Sequence, residues 1–203
     1  MSSEGNVKVE QRNELLYQAL ETELGGTEIY KTAISCAVNP DLKKEWEEYL
    51  EHTTRHVEIV EGIFDSLGLD KAKETPGRKV VRHIGESLVK AMEMAKAEGS
   101  RTAAELVAAE CVTHAETKDH MNWELIGRVA EKETGDAKKV LKEAYDAVED
   151  EESEHLYHTM GWGRELWIES LGMPAVLPPP EEEKDVKTAI GQARAENARS
   201  GMV

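Results

Sequence analysis

The stretch VEDEESEHLYH at 148–158 packs five carboxylates and two imidazoles into eleven positions. Charge runs on helices are usually solvated faces, and Glu149, Glu151 and Glu154 are expected to be that. Glu152 and His155 are different. They stand three residues apart, so on a helix they share one face and can ligate one ion together. They also continue an apolar stripe, Ala137, Leu141, Ala144, Val148, Glu152, His155, Thr159, Trp162, Leu166, whose alternating steps of three and four mark the buried side of a packed helix.

Three other segments carry polar residues on comparable stripes. Leu16, Leu20, Glu23, Thr27, Tyr30, Ile34, Ala37 takes Glu23 inward, and Leu42, Trp46, Tyr49, Thr53, His56, Val60, Ile63, Leu67 takes Thr53 and His56 inward. A stripe through Ala109, Thr113, Glu116, His120 and Trp123 takes Glu116 inward, although a neighbouring register would favour Glu110 and Thr117. Chain geometry adds a separate constraint. Glu23 and His56 lie equally far from a turn signal at 39–40, and Glu116 and Glu152 equally far from one near 134. In antiparallel hairpins each pair therefore sits at one height.

Three carboxylates and two imidazoles converging inside a core are costly unless a cation neutralises them. An oxygen-plus-imidazole shell suits iron or manganese. Cys36 and Cys111 are far apart and form no C-x-x-C, which argues against zinc-thiolate and iron–sulfur chemistry and suggests buried free thiols in a reducing cytosol. A formal net charge of -16 disfavours nucleic acid and anionic membranes as partners and suits cations. The segment MSSEGNVKVEQRNE lacks an apolar signal core and no stretch is long enough to span a bilayer, so a cytoplasmic protein is expected.

The elements that must position these residues are helices. The first is expected from about residue 8 to Val38. Asn39-Pro40 ends it and starts the second, which runs to Gly68. A turn-rich segment, GLDKAKETPGR, precedes a shorter helix from Lys79. Gly99-Ser100 separates that from a third long helix, and Gly135-Asp136 closes it and opens the fourth, which stops at Gly172. Two long helical hairpins joined by a crossover containing a helix predict an all-α, four-helix bundle over residues 1–172. Residues 173–203 form a separate tail: MPAVLPPPEEE is expected to be extended polyproline, followed by a short helix packing on its own bundle or on a neighbouring subunit. Trp46, Trp123, Trp162, Trp167, Met92 and Met94 are expected in the core or a dimer interface. His83 is expected to be structural, and His114 and His158 satisfied polar groups. Gly25-Gly26 suggests close helix approach.

Glutamate on the first helix, histidine on the second, glutamate on the third and Glu-x-x-His on the fourth resembles the ferritin-like dimetal-carboxylate superfamily. NPDLKKEWEEYLEHTTRHVEIVEGIFDSLGLD and ECVTHAETKDH are similar to the second and third helices of small stress-induced bacterial ferritin-like proteins, the YciF-like family. RHVEIVE is also similar to manganese catalases and rubrerythrins. The resemblance covers residues 14–171 and implies a ferritin-like four-helix bundle with a di-iron or manganese site. Glu116 and Glu152 would bridge or clamp the ions, His56 and His155 would be terminal imidazoles and Glu23 a terminal carboxylate. It implies an oxidoreductase acting on peroxide or dioxygen in stress defence, in a homodimer or larger homo-oligomer, with a separate electron donor replacing the missing C-x-x-C module. Tyr30 and Tyr49 are candidates for redox-active neighbours as well as for core packing. One departure stands out: Thr53 occupies the place of a bridging glutamate, with Glu51, His52 and His120 as substitutes. A non-catalytic iron-binding protein and a metal-free bundle are the alternatives.

Overall fold

The computed structural model describes residues 7–203. Every regular element among them is helical: α1 (Val9–Cys36), α2 (Pro40–Leu67), α3 (Pro76–Glu98), α4 (Arg101–Lys132), α5 (Gly135–Ser170), α6 (Pro180–Glu183) and α7 (Ala189–Ala198). The long helices α1, α2, α4 and α5 pack as an all-helical bundle in which α1 meets α2 and α4, and α5 meets α2 and α4. Helix α3 lies across α1 and α4.

Local chemistry sets the boundaries. Asn39 accepts from the backbone N–H groups of Asp41 and Leu42 at 2.9 and 3.3 Å, with Pro40 in the first turn, so α2 starts after only three intervening residues. Gly68 takes φ +64°, and the following Leu69 N–H closes on the Phe64 carbonyl at 2.9 Å. The crossover helix starts earlier than expected, because Thr75 caps the Arg78 N–H at 3.1 Å and Pro76 opens the first turn. Arg78 and Arg82 then clamp Glu21 of α1, each through its Nε at 2.6 Å, which seats α3.

The bundle core is split. One apolar cluster contains Leu16, Leu20, Val60, Phe64, Trp123 and Val148, and the other Ile29, Tyr30, Trp46, Val112 and Trp162. Between them, at the level predicted from the hairpin turns, lies a buried polar layer contributed by all four long helices. The third-helix stripe follows the first of its two registers: Glu116 and Trp123 are buried, and Glu110 and Thr117 are exposed.

The tail departs from its expected form. Leu177–Pro178 is cis and Pro180–Glu183 makes a helical turn, so the proline run is not extended polyproline. It folds back on its own bundle. Glu181, fully buried, receives Arg164 Nη1 and Nη2 at 2.7 and 2.8 Å, and Arg199 reaches Glu165 at 2.7 Å. Gly161 makes room for this, since a Cβ there would lie 2.6 Å from the Glu181 carboxylate. Trp46, Trp123, Trp162 and Met92 are core residues, whereas Trp167 and Met94 are exposed, with Trp167 bonded to Glu110. No helix among the described residues is long and apolar enough to cross a membrane.

Candidate metal centre

Glu23 of α1, His56 of α2, Glu116 of α4, and Glu152 and His155 of α5 meet in the polar layer, each at most 3% exposed. They form two groups of three whose ligand atoms all lie within 4.8 Å of one another: Glu23, His56 and Glu152, and Glu116, Glu152 and His155. Glu152 belongs to both. Helical spacing explains the second group, because Glu152 and His155 are one turn apart on α5 and face Glu116 on the neighbouring α4.

Hydrogen bonds around the centre orient its members. His56 Nε2 lies 2.8 Å from Glu151 Oε2, and His155 Nε2 lies 3.2 Å from His52 Nδ1. Burial holds His56 toward its neutral form despite the Glu151 contact. A neutral His56 that donates its Nε2–H to Glu151 has a bare lone pair on Nδ1. If His155 donates Nε2–H to His52, the same holds for its Nδ1. Both Nδ1 atoms face the carboxylates: His56 Nδ1 is 3.0 Å from Glu152 Oε1, and His155 Nδ1 is 3.6 Å from Glu116 Oε2. Tyr30 donates its hydroxyl to Glu116 Oε1 at 2.8 Å, and Trp123 Nε1 donates to Glu23 Oε1 at 2.7 Å.

These bonds leave a consistent remainder. Glu23 Oε2, His56 Nδ1, Glu116 Oε2, Glu152 Oε2 and His155 Nδ1 are buried with no hydrogen-bond partner. Each of the five residues thus keeps one unsatisfied acceptor or lone pair at the centre, an arrangement that costs free energy unless something positive sits there. Burial first, then the neighbouring carboxylates, raises the Glu23 and Glu152 carboxyls well above their ordinary value. The donor set of carboxylate oxygens and imidazole nitrogens can hold a metal ion, and a cation is the group these atoms fit.

Several other expectations meet the structure here. Glu51 is exposed and outside the centre. His52 is half-buried and reaches the centre only through His155. Thr53 is buried with its methyl facing α1, where a Cβ on Gly26 would lie 3.1 Å away, so the Thr53 position is filled by a helix contact. His120 is half-buried against the Tyr157 ring, with centroids 5.9 Å apart. Tyr49 packs on His155 with ring centroids 4.1 Å apart and the planes tilted by 37°, and donates to Glu45 at 2.7 Å. His158 is buried beside the Tyr49 hydroxyl at 3.3 Å, and His83 and His114 are exposed.

Glu151 requires a correction. It is not a free surface charge: it is half-buried, it pairs with Arg55 as well as His56, and its carboxyl stays below the ordinary value although burial alone would raise it. Several further buried carboxylates escaped the sequence reading, Asp119 and Glu45 among them. Asp119, 4% exposed, is one helical turn beyond Glu116, and Glu45 is one turn before Tyr49. Their spacings were readable, but nothing in the sequence separates a buried acid from the many solvated ones.

No protein-family model matches the chain, and comparison with curated proteins and with solved structures returns no significant match.

Proposed function

We propose that this protein is a ferritin-like metal protein whose bundle centre holds two iron or manganese ions and reduces peroxide or dioxygen in stress defence. The observation that carries the reading is the pair of buried ligand groups sharing Glu152, each of whose five residues also has a buried side-chain atom with no hydrogen-bond partner. Glu152 would serve both ions, with Glu23 and His56 completing one set and Glu116 and His155 the other. Bound there, iron or manganese supplies one-electron cycling between its +2 and +3 states, which an anionic shell favours.

The chain's own residues prepare the site. Glu151 fixes the His56 tautomer that presents Nδ1 inward, His52 bonds the outer nitrogen of His155, and Tyr30 and Trp123 each hold one oxygen of Glu116 and Glu23. The apolar clusters on both sides keep bulk water from the layer, which strengthens every electrostatic contact inside it. The exposed Trp167 and Met94 suit a partner copy or a separate electron donor.

A second reading has one specific observation in its favour. Glu23, Glu152 and Asp119 are all raised well above their ordinary values by burial, so they can remain protonated in a metal-free structural bundle. Reconstitution with Fe2+ or Mn2+ followed by a peroxide-consumption assay separates the readings. Consumption beyond the bound metal supports an oxidoreductase, consumption that stops at one equivalent supports sequestration, and a chain that takes up no metal is the structural bundle.

A further inference from the structure

The polar layer is enclosed on most sides, but Glu152 also forms the inner end of a small cleft between α4 and α5. This inner chamber is about 50 Å3, room for one or two water-sized molecules, and His120, Trp123, Glu149 and Ser153 are among its walls. A larger surface cleft of about 390 Å3 lies beside it, lined by Arg128, Glu131 and Lys142. Tyr145 and Glu124 line both, so they form the partition between them.

Tyr145 is seated for that position. Its ring lies against α4 at Gly127, where a Cβ would come within 2.7 Å of it. Glycine inside a helix costs about 1 kcal/mol relative to alanine, and here its absent side chain is what admits the ring. The Tyr145 hydroxyl lies near the Glu149 carboxylate, one turn along α5. The passage is thus narrow, and the carboxylates Glu124, Glu149 and Glu152 are among its walls.

We propose that this cleft is the entrance to the metal centre, with Tyr145 and Ser153 restricting what passes to divalent cations and uncharged oxidants of two heavy atoms. The proposal rests on the metal-centre reading above. A chamber of this volume admits hydrogen peroxide or dioxygen and excludes alkyl hydroperoxides; with Glu124 paired to Arg128, Glu149 is the carboxylate left to draw in cations.

The test measures the rate and the extent of Mn2+ uptake by the metal-free full chain. Ser153→Leu fills the inner chamber and should slow uptake at least tenfold while leaving the amount bound at equilibrium unchanged. Tyr145→Ala opens the partition; it should speed uptake and raise the rate with tert-butyl hydroperoxide relative to hydrogen peroxide at least tenfold. Should Ser153→Leu fail to fold or also lower the amount bound, Tyr145→Ala decides. Unchanged uptake rates and unchanged peroxide selectivity place the entrance elsewhere and overturn the proposal. A wild type that binds no Mn2+ overturns the metal centre itself, and the entrance with it.

Discussion

Glu151 accepts the Nε2 proton of His56 at 2.8 Å, and that contact decides which nitrogen of His56 faces the bundle centre. Arg55 holds Glu151 from the solvent side, so a half-exposed carboxylate steers a fully buried ring. Carboxylate partners of this kind typically contribute a factor of 10–100 in metal affinity. Glu151→Ala should therefore weaken Mn2+ binding by about 10- to 100-fold without unfolding the chain. Competition titration against a chelator, with circular dichroism as the folding control, measures it. Unchanged affinity would mean that His56 is oriented by packing alone.

A second buried acid makes stability depend on pH. Burial, then the neighbouring Glu182 charge, pushes the Glu45 carboxyl from 4.5 up to about 8. The groups facing it are the Tyr49 hydroxyl, Trp162 Nε1, His158 and Glu182. Between those two values the unfolded chain has released this proton while the folded chain still holds it. The folded state then binds more protons, so the contribution of Glu45 is fully present below about 4.5 and is lost as pH rises through about 8. Melting temperature should fall across this window, and less steeply in Glu182→Gln, where the charge that helps raise Glu45 is gone. Identical slopes in the two proteins would remove Glu182 as a cause.

Much of the architecture was legible in the sequence because it rests on short-range rules. The Asn39-Pro40 start, the Gly68 stop and the inward faces of Glu23, His56, Glu116, Glu152 and His155 follow from capping chemistry and helical period. The elements that misled are those decided by tertiary contact. Glu151 is one position from Glu152 and looks like any solvated acid until Arg55 and His56 arrive from α2. The proline run looked extended, yet an ion pair between the fully buried Glu181 and a partly exposed Arg164 draws it back onto α5. Asp119 shares the Glu116 face, but its burial depends on how deeply α4 sits against α1.

Gly26 and Thr53 give a packing test of the place where a fourth carboxylate was expected. A Cβ on Gly26 would lie 3.1 Å from the Thr53 methyl, tighter than ordinary contact. Gly26→Ala gains about 1 kcal/mol of helix propensity but must displace that methyl, and overpacking costs about 1–3 kcal/mol. The expected net effect is a loss of up to about 2 kcal/mol in the wild-type background, converted into a gain in Thr53→Ser. Urea unfolding of the double-mutant cycle reads the coupling. Additive effects would show that α1 and α2 do not meet there.

The central claim is that Glu23, His56, Glu116, Glu152 and His155 hold metal. It is tested most directly by elemental analysis of the chain after reconstitution with Fe2+ or Mn2+ and desalting, beside Glu152→Ala treated identically. Because Glu152 is common to both ligand groups, the expected result is about two ions per wild-type chain and a loss of both in the variant. A folded wild type that retains no ion, or a Glu152→Ala variant that retains as many as the wild type, would contradict it.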